Sequence, residues 1–233
     1  MPRLRVLLYH SISADGSRDD LTVSAAQLEA QFQHLRRRGY NSILLSDLIA
    51  YYERRRSLPP KPVLITFDDG FLNHVTVAYP LAKKYRMKIN LFVIPFFIRT
   101  GGYRSTPCAQ PADLEKMDPA LVEVGLHSYA HLSYADLHPE EIEFDIDRGL
   151  QTLQEMGIAY QPCLAYPFGA FPRGPQNLFE LLQRKGIRLA FRIGNRINSL
   201  PLREKFLIQR IDVRGDESLV RFRLSLGFGR KLW

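Results

Sequence analysis

The chain has 233 residues, of which 45% are hydrophobic and 24% charged. That length and composition allow one large core and exclude a disordered chain, a collagen or a disulfide-stapled mini-scaffold. The two cysteines, Cys108 and Cys163, are too few for a disulfide framework and are compatible with a reducing compartment. The net charge of +8 is unevenly spread: residues 1–62 carry 10 basic and 6 acidic side chains, residues 63–195 carry 13 and 14, and residues 196–233 carry 9 and 4. Basic ends around a neutral middle suit an anionic partner such as phospholipid, lipid-linked sugar phosphate or nucleic acid, although solvated helix faces give the same pattern and are the commoner cause.

In chain order, Val6–His10 reads as a strand. Ser24 with Gln27 three residues on forms a capping-box signature that opens a helix ending at Gly39, with Arg36, Arg37 and Arg38 at its C-terminal dipole end. Residues 42–45 read as a short strand, and Ser46 as the cap of a second helix through Leu48, Ile49 and Tyr52. Val63–Phe67 is a β-branched buried run, hence a strand. A helix follows over 75–85, with Pro80 as a local irregularity, then a strand from Ile89 to Ile94. Residues 99–112 read as a loop and 122–128 as a strand. Residues 139–156 form the clearest helix, with Pro at its first turn, early acids, and Gly157 just beyond its end. Strands at 164–166, 189–193 and 207–213, a helix at 175–185, and a terminal helix or strand at 218–226 complete the reading. Strands alternating with helices predict an α/β fold with a parallel sheet, open or closed into a barrel, in one domain over 1–233. No apolar stretch approaches the ~20 residues of a membrane span, and no secretory leader is evident, so a cytoplasmic or peripheral membrane location is expected unless a signal has been removed.

Polar residues gather where these strands end, the edge that holds active sites in parallel α/β folds. Asp68-Asp69-Gly70 places two adjacent carboxylates there, a pair that repels unless a cation or a proton intervenes. The same tripeptide is also a good turn. His127 and His131, four apart, are able to face one metal ion, and with one aspartate they make a common three-ligand set for a catalytic divalent ion. His34, His74 and His138 fall in predicted helices or loops and receive no role.

These residues carry a resemblance. Thr66-Phe67-Asp68-Asp69-Gly70 and Glu123-Val124-Gly125-Leu126-His127-Ser128-Tyr129-Ala130-His131 resemble the first two motifs of the polysaccharide deacetylase family, the NodB-homology domain of carbohydrate esterase family four. The resemblance spans roughly residues 4–215. It implies a distorted (β/α) barrel of about seven parallel strands and a metal-dependent hydrolase that removes N-acetyl or related acyl groups from amino sugars. It also implies Asp68 as catalytic base and Asp69, His127 and His131 as ligands of a divalent ion, zinc first, with cobalt, nickel or manganese as alternatives. Ala165-Tyr166-Pro167-Phe168-Gly169 resembles the third motif, with the Phe168 backbone N–H toward the oxyanion, but Ala165 stands where many members have the arginine that orients the base. No histidine follows residue 138, and the family's Leu-x-His motif is matched instead by Leu8-Tyr9-His10. This is similar to the circularly permuted branch associated with poly-N-acetylglucosamine deacetylases, and it implies His10 as general acid, with Asp212 as a weak candidate for its carboxylate partner. The implied partner is an amino-sugar polymer or glycoconjugate. Alternatives are a deacylase of a lipid-linked or nucleotide-linked amino sugar at an anionic membrane surface, which the tail Phe228–Trp233 would suit, a hydrolase of cyclic imides or ureides, and a carbohydrate-binding module without turnover. Nucleic acid is not an expected partner.

Overall fold

The computed structural model describes residues 3–103, 105–202 and 204–230. Seven parallel strands run in chain order around a closed barrel: β1 (Arg3–Tyr9), β2 (Pro62–Phe67), β3 (Ile89–Val93), β4 (Val122–Leu126), β5 (Cys163–Ala165), β6 (Leu189–Ile193) and β7 (Ile208–Asp212). Closure is made by β1, which pairs with β2 from Arg5↔Val63 to Tyr9↔Phe67 and with β7 at Leu7↔Ile211 and Leu8↔Asp212. Two short strands fill gaps at the barrel's N-terminal end. Residues 41–43 pair with the first half of β2, and residues 198–199 pair antiparallel with the start of β1.

Strand alternation sorts the side chains. Leu4, Val6, Leu64, Phe92, Ala165, Phe191 and Ile208 belong to one buried cluster, the barrel interior. Leu7, Tyr9, Val63, Ile65, Phe67 and Leu91 belong to a second, between the barrel and its helices. Buried Asn90, inside an apolar strand, satisfies the backbone where residues 41–43 end: it donates to the carbonyls of Ile43 and Ile65 and accepts from the Leu45 N–H. Gly125 is required on β4, because a Cβ there would lie 2.6 Å from the Phe92 ring.

The surrounding helices are α1 (Ala25–Arg37), α2 (Leu45–Tyr52), α3 (Tyr79–Tyr85), α4 (Pro95–Thr100), α5 (Pro111–Glu115), α6 (Pro139–Glu155), α7 (Gln176–Arg184) and α8 (Leu219–Phe228). Ser24 and Gln27 form the expected capping box of α1. In α6, Glu141 accepts from the His138 N–H, and the helix stops before Gly157. Ser218 caps the terminal segment as a helix. Helix α2 corrects the expectation. Its cap is Leu44, not Ser46, because the Asp47 carboxylate reaches back to the Leu44 N–H. Residues 99–112 also hold more than a loop. They include the end of α4, a small hairpin pairing 102–103 with 106–107, and the start of α5. Both helices carry Pro at the first turn but are only 6 and 5 residues long, too short for periodicity to register. The irregularity at Pro80 is a π turn over His74–Ala78, closed by the Tyr79 N–H on the His74 carbonyl. Pro80 lacks the N–H for a regular α turn, and the widened turn accommodates its ring. Cys108 and Cys163 are buried free thiols.

Candidate active site

The C-terminal ends of β1, β2, β4, β5 and β7 deliver the expected residues to one rim. The pairing of Tyr9 with Phe67 sets His10 and Asp68, each one residue further on, side by side. Left-handed backbone turns concentrate here: φ is +74° at Asp69, +61° at Ser128, +59° at His131 and +57° at Phe168. Each costs a non-glycine residue on the order of 1–2 kcal/mol, so four on one rim mark a place where the fold imposes geometry. After Asp69, Gly70 takes φ +72° and lies so near Val93 that a Cβ would approach it to 3.1 Å.

Asp69, His127 and His131 each present one ligand atom, all within 4.8 Å of one another. The Asp69 Oδ1 lies 3.8 Å from His127 Nε2 and 3.7 Å from His131 Nε2, too far for hydrogen bonds. That oxygen is buried and has no hydrogen-bond partner. Burial pushes the Asp69 carboxyl above its ordinary range, and the neighbouring Asp68 charge adds to the push against the pull of His127 and His10. His127 Nδ1 lies 2.8 Å from the Ala165 carbonyl, so it must donate, and in the neutral ring Nε2 is then the ligand atom that faces the carboxylates. An unsatisfied carboxylate oxygen opposite an imidazole lone pair fits a divalent cation, and the nitrogen and oxygen donor set suits zinc-like ions.

The loop between the two histidines is anchored by a residue that sequence reading missed. Asp145, on α6, accepts from the Tyr129 and Ala130 N–H groups and from the Tyr134 hydroxyl. Ser128 Oγ accepts from the His131 N–H. No local motif marks Asp145, because its partners lie 11 to 16 residues away across a turn. Removing this support should loosen the loop before it disturbs the barrel. Asp145→Ala is expected to weaken zinc affinity by roughly 10- to 100-fold in a competitive titration. Unchanged affinity would show that the loop holds its shape without it.

Asp68 is fully buried and bound by both arms of Arg210, at 2.6 and 2.7 Å. Burial opposes its charge, but Arg210, with His127 and His10 behind it, brings its pKa down to about 2. Arg210 lies on β7, itself wholly buried, with its guanidinium 5.6 Å from the centre of the Phe92 ring. It supplies the guanidinium missing at Ala165. The signal was available in Ile208-Gln209-Arg210-Ile211, where an arginine takes the inward position of an apolar strand.

Phe168 sits in a tight turn over 167–169 and packs its exposed ring 4.5 Å from that of His131. His10 projects beside these groups, and its Nδ1 is a buried atom without a partner. Asp212 is two residues below His10 in the pairing of β1 with β7; one of its oxygens is tied to Arg230 at 2.9 Å and the other is buried without a partner. Of the aromatics near the motifs, Tyr9 and Tyr134 are fully buried packing residues. His138 caps α6, and His34 lies on α1 against Phe222. His74, which receives no role from the sequence, is wholly buried and bonded to the backbone of His10.

The fold and donor set define a class: a parallel (β/α) barrel with a candidate divalent-ion site at its C-terminal mouth, beside a charged, arginine-bound carboxylate. Residues 55–190 match the family model for polysaccharide deacetylase, more than half of the chain, and the chain belongs to that family. It is 22% identical over 210 residues to the poly-beta-1,6-N-acetyl-D-glucosamine N-deacetylase of Staphylococcus aureus, covering 84% of this chain and 69% of that protein. It is 27% identical over 169 residues to YxkH of Bacillus subtilis, where the match spans 72% of this chain and 58% of the relative's length. Among solved structures, IcaB from Ammonifex degensii is 25% identical with a TM-score of 0.81, covering 97% of each chain. The Streptococcus pyogenes deacetylase PplD shares the fold, with 19% identity, a TM-score of 0.84, and coverage of 97% of this chain and 99% of its own.

Proposed function

We propose that this protein is a metal-dependent N-deacetylase of amino sugars within a polysaccharide, with poly-N-acetylglucosamine as the first substrate to test. The observation that carries the proposal is the Asp69–His127–His131 donor set beside the charged Asp68, in a chain of this family. Zinc is the first metal to test. A divalent ion bound there would polarise the acyl oxygen and make an adjacent water more acidic.

The chain's own residues do the rest. Asp68, ionised at every working pH, accepts the proton of the attacking water. Its low pKa keeps the carboxylate charged and ready to accept, at the expense of base strength. The Phe168 N–H donates to the developing oxyanion, a contribution of typically about 3–4 kcal/mol per donor. His10, protonated, donates to the departing nitrogen, and Asp212, on the neighbouring strand opposite Leu8, is the weaker candidate to support that charge. One water is consumed, and acetate and a free amine leave. A non-catalytic module becomes the weaker alternative, because its only support was the missing arginine at Ala165, and Arg210 provides one.

The test is acetate release from short β-1,6-linked N-acetylglucosamine oligomers with zinc-loaded protein. The expected result is turnover that falls by roughly 100-fold or more in His10→Ala. No release from any N-acetylated amino-sugar oligomer would end the proposal.

A second reading concerns where the enzyme works. The helix C-termini collect basic residues at the barrel end opposite the mouth: Arg54, Arg55 and Arg56 line a groove with Tyr51, Tyr52 and Leu202, and Arg36, Arg37, Lys84 and Arg86 line another. These residues favour an anionic membrane surface below the barrel, with the mouth turned away from it. No helix among the described residues is long and apolar enough to cross a membrane, and Lys231, Leu232 and Trp233 of the tail lie outside the described residues.

A further inference from the structure

His74 is one of six histidines and has no place in the proposed chemistry, yet it is wholly buried directly beneath the rim. Its Nε2 lies 2.7 Å from the carbonyl oxygen of His10. A carbonyl only accepts, so Nε2 carries the proton and Nδ1 is bare. Nδ1 has no partner, and the ring lies 5.2 Å from that of Phe67 and 5.8 Å from that of Phe71. Burial pushes its pKa down to about 4, against the help of the hydrogen bond, so the ring stays neutral. A neutral donor is what this place needs, since a second positive charge beneath His10 would repel the proton that His10 is to carry.

The ladder around His10 shows why a side chain has to intervene. On one side, the Asp68 N–H donates to the Tyr9 carbonyl; on the other, the Val213 N–H donates to the Leu8 carbonyl. The next carbonyl, that of His10, lies past the end of β1, where the ladder stops. His74 takes it. The preceding residue extends the grip: Asn73 accepts from the Ile12 N–H at 3.2 Å and donates to Ser11 Oγ at 2.9 Å. Residues 10–12 are thus held by two consecutive side chains at the start of the π turn, whose widened backbone presents both.

We propose that His74 is a positioning residue that fixes the His10 backbone, and with it the imidazole that protonates the leaving nitrogen. The proposal rests on His10 being the general acid. It predicts a defect that depends on the leaving group. An amide nitrogen must be protonated to leave, whereas a nitrophenolate leaves without that help, and both share the water, the metal and Asp68.

The experiment compares acetate release from N-acetylglucosamine oligomers with hydrolysis of p-nitrophenyl acetate, using zinc-loaded wild type, His74→Ala, His74→Gln and His10→Ala. In His74→Ala, kcat for the amide should fall by roughly 10- to 100-fold with KM little changed, while ester hydrolysis and zinc content stay within about twofold. His74→Gln keeps an N–H donor and should recover part of the amide rate; it also serves if the alanine variant folds poorly. Parallel loss on both substrates, or loss on neither, overturns the role of His74. If wild type is active and His10→Ala lacks the amide-selective loss, the general-acid assignment fails, and the role of His74 with it. If wild type releases no acetate from any oligomer, the proposed function itself is wrong and both assignments fall.

Discussion

Arg210→Ala should be the most damaging single substitution in the barrel. Arg210 and Asp68 are both buried, and their two bonds at 2.6 and 2.7 Å satisfy charges that have no water to turn to. Removing the cation strands the carboxylate, which typically costs about 3–5 kcal/mol. For a chain of this size that is a fall in Tm on the order of 10 °C. Turnover should fall below detection, because the base is no longer aimed. Lysine is a useful control: Arg210→Lys restores a charge but not the planar fork, so part of the stability should return without the activity. The effect should depend on pH in a definite direction. The Asp68 pKa is held at about 2, below the ordinary carboxylate value near 3.9, so its contribution to stability is complete above about pH 4 and is lost as pH falls through about 2. Urea titrations at pH 7 and pH 2.5 should therefore show a smaller gap between wild type and Arg210→Ala in acid. An equal gap at both pH values would mean that the pair contributes no charge-dependent stability.

Asp68→Asn should separate chemistry from metal binding. The amide is nearly the shape of the carboxylate and accepts one bond from Arg210, but it cannot take a proton from water. A lost general base typically removes about 100- to 10,000-fold of rate. The candidate ligands Asp69, His127 and His131 are untouched, so zinc content should match wild type. Retained acetate release would refute Asp68 as the base. Loss of zinc together with activity would place Asp68 among the ligands instead, which its distance of 3.5 Å from His127 Nε2 makes a fair competing outcome.

What the sequence disclosed follows the range of the interactions. Asp68 and Asp69 are adjacent, and His127 and His131 share one turn, so a linear motif displays them. Ser24 and Gln27 close a capping box within a single helical turn, and α6 is long enough for its pattern to stand out. Arg210 meets Asp68 across 142 positions of chain, a contact made only by closing the barrel. Asp145 works through backbone N–H groups, which leave no mark on the residue types they come from. His74 reads as an ordinary helical residue because the π turn that carries it arises from Pro80, six positions away, and its burial comes from packing against Phe67 and Phe71. The cap of α2 was misplaced for a similar reason: a serine stood near the right place, but the Asp47 carboxylate was better aimed.

The central claim is that Asp69, His127 and His131 hold a divalent ion, and elemental analysis of the purified protein tests it most directly. Wild type should carry about one zinc or similar ion per chain, either as isolated or after supplementation and removal of excess metal, and the Asp69→Ala, His127→Ala double variant should carry almost none. Wild type without bound metal after supplementation, or a double variant that binds as much as wild type, would contradict the account.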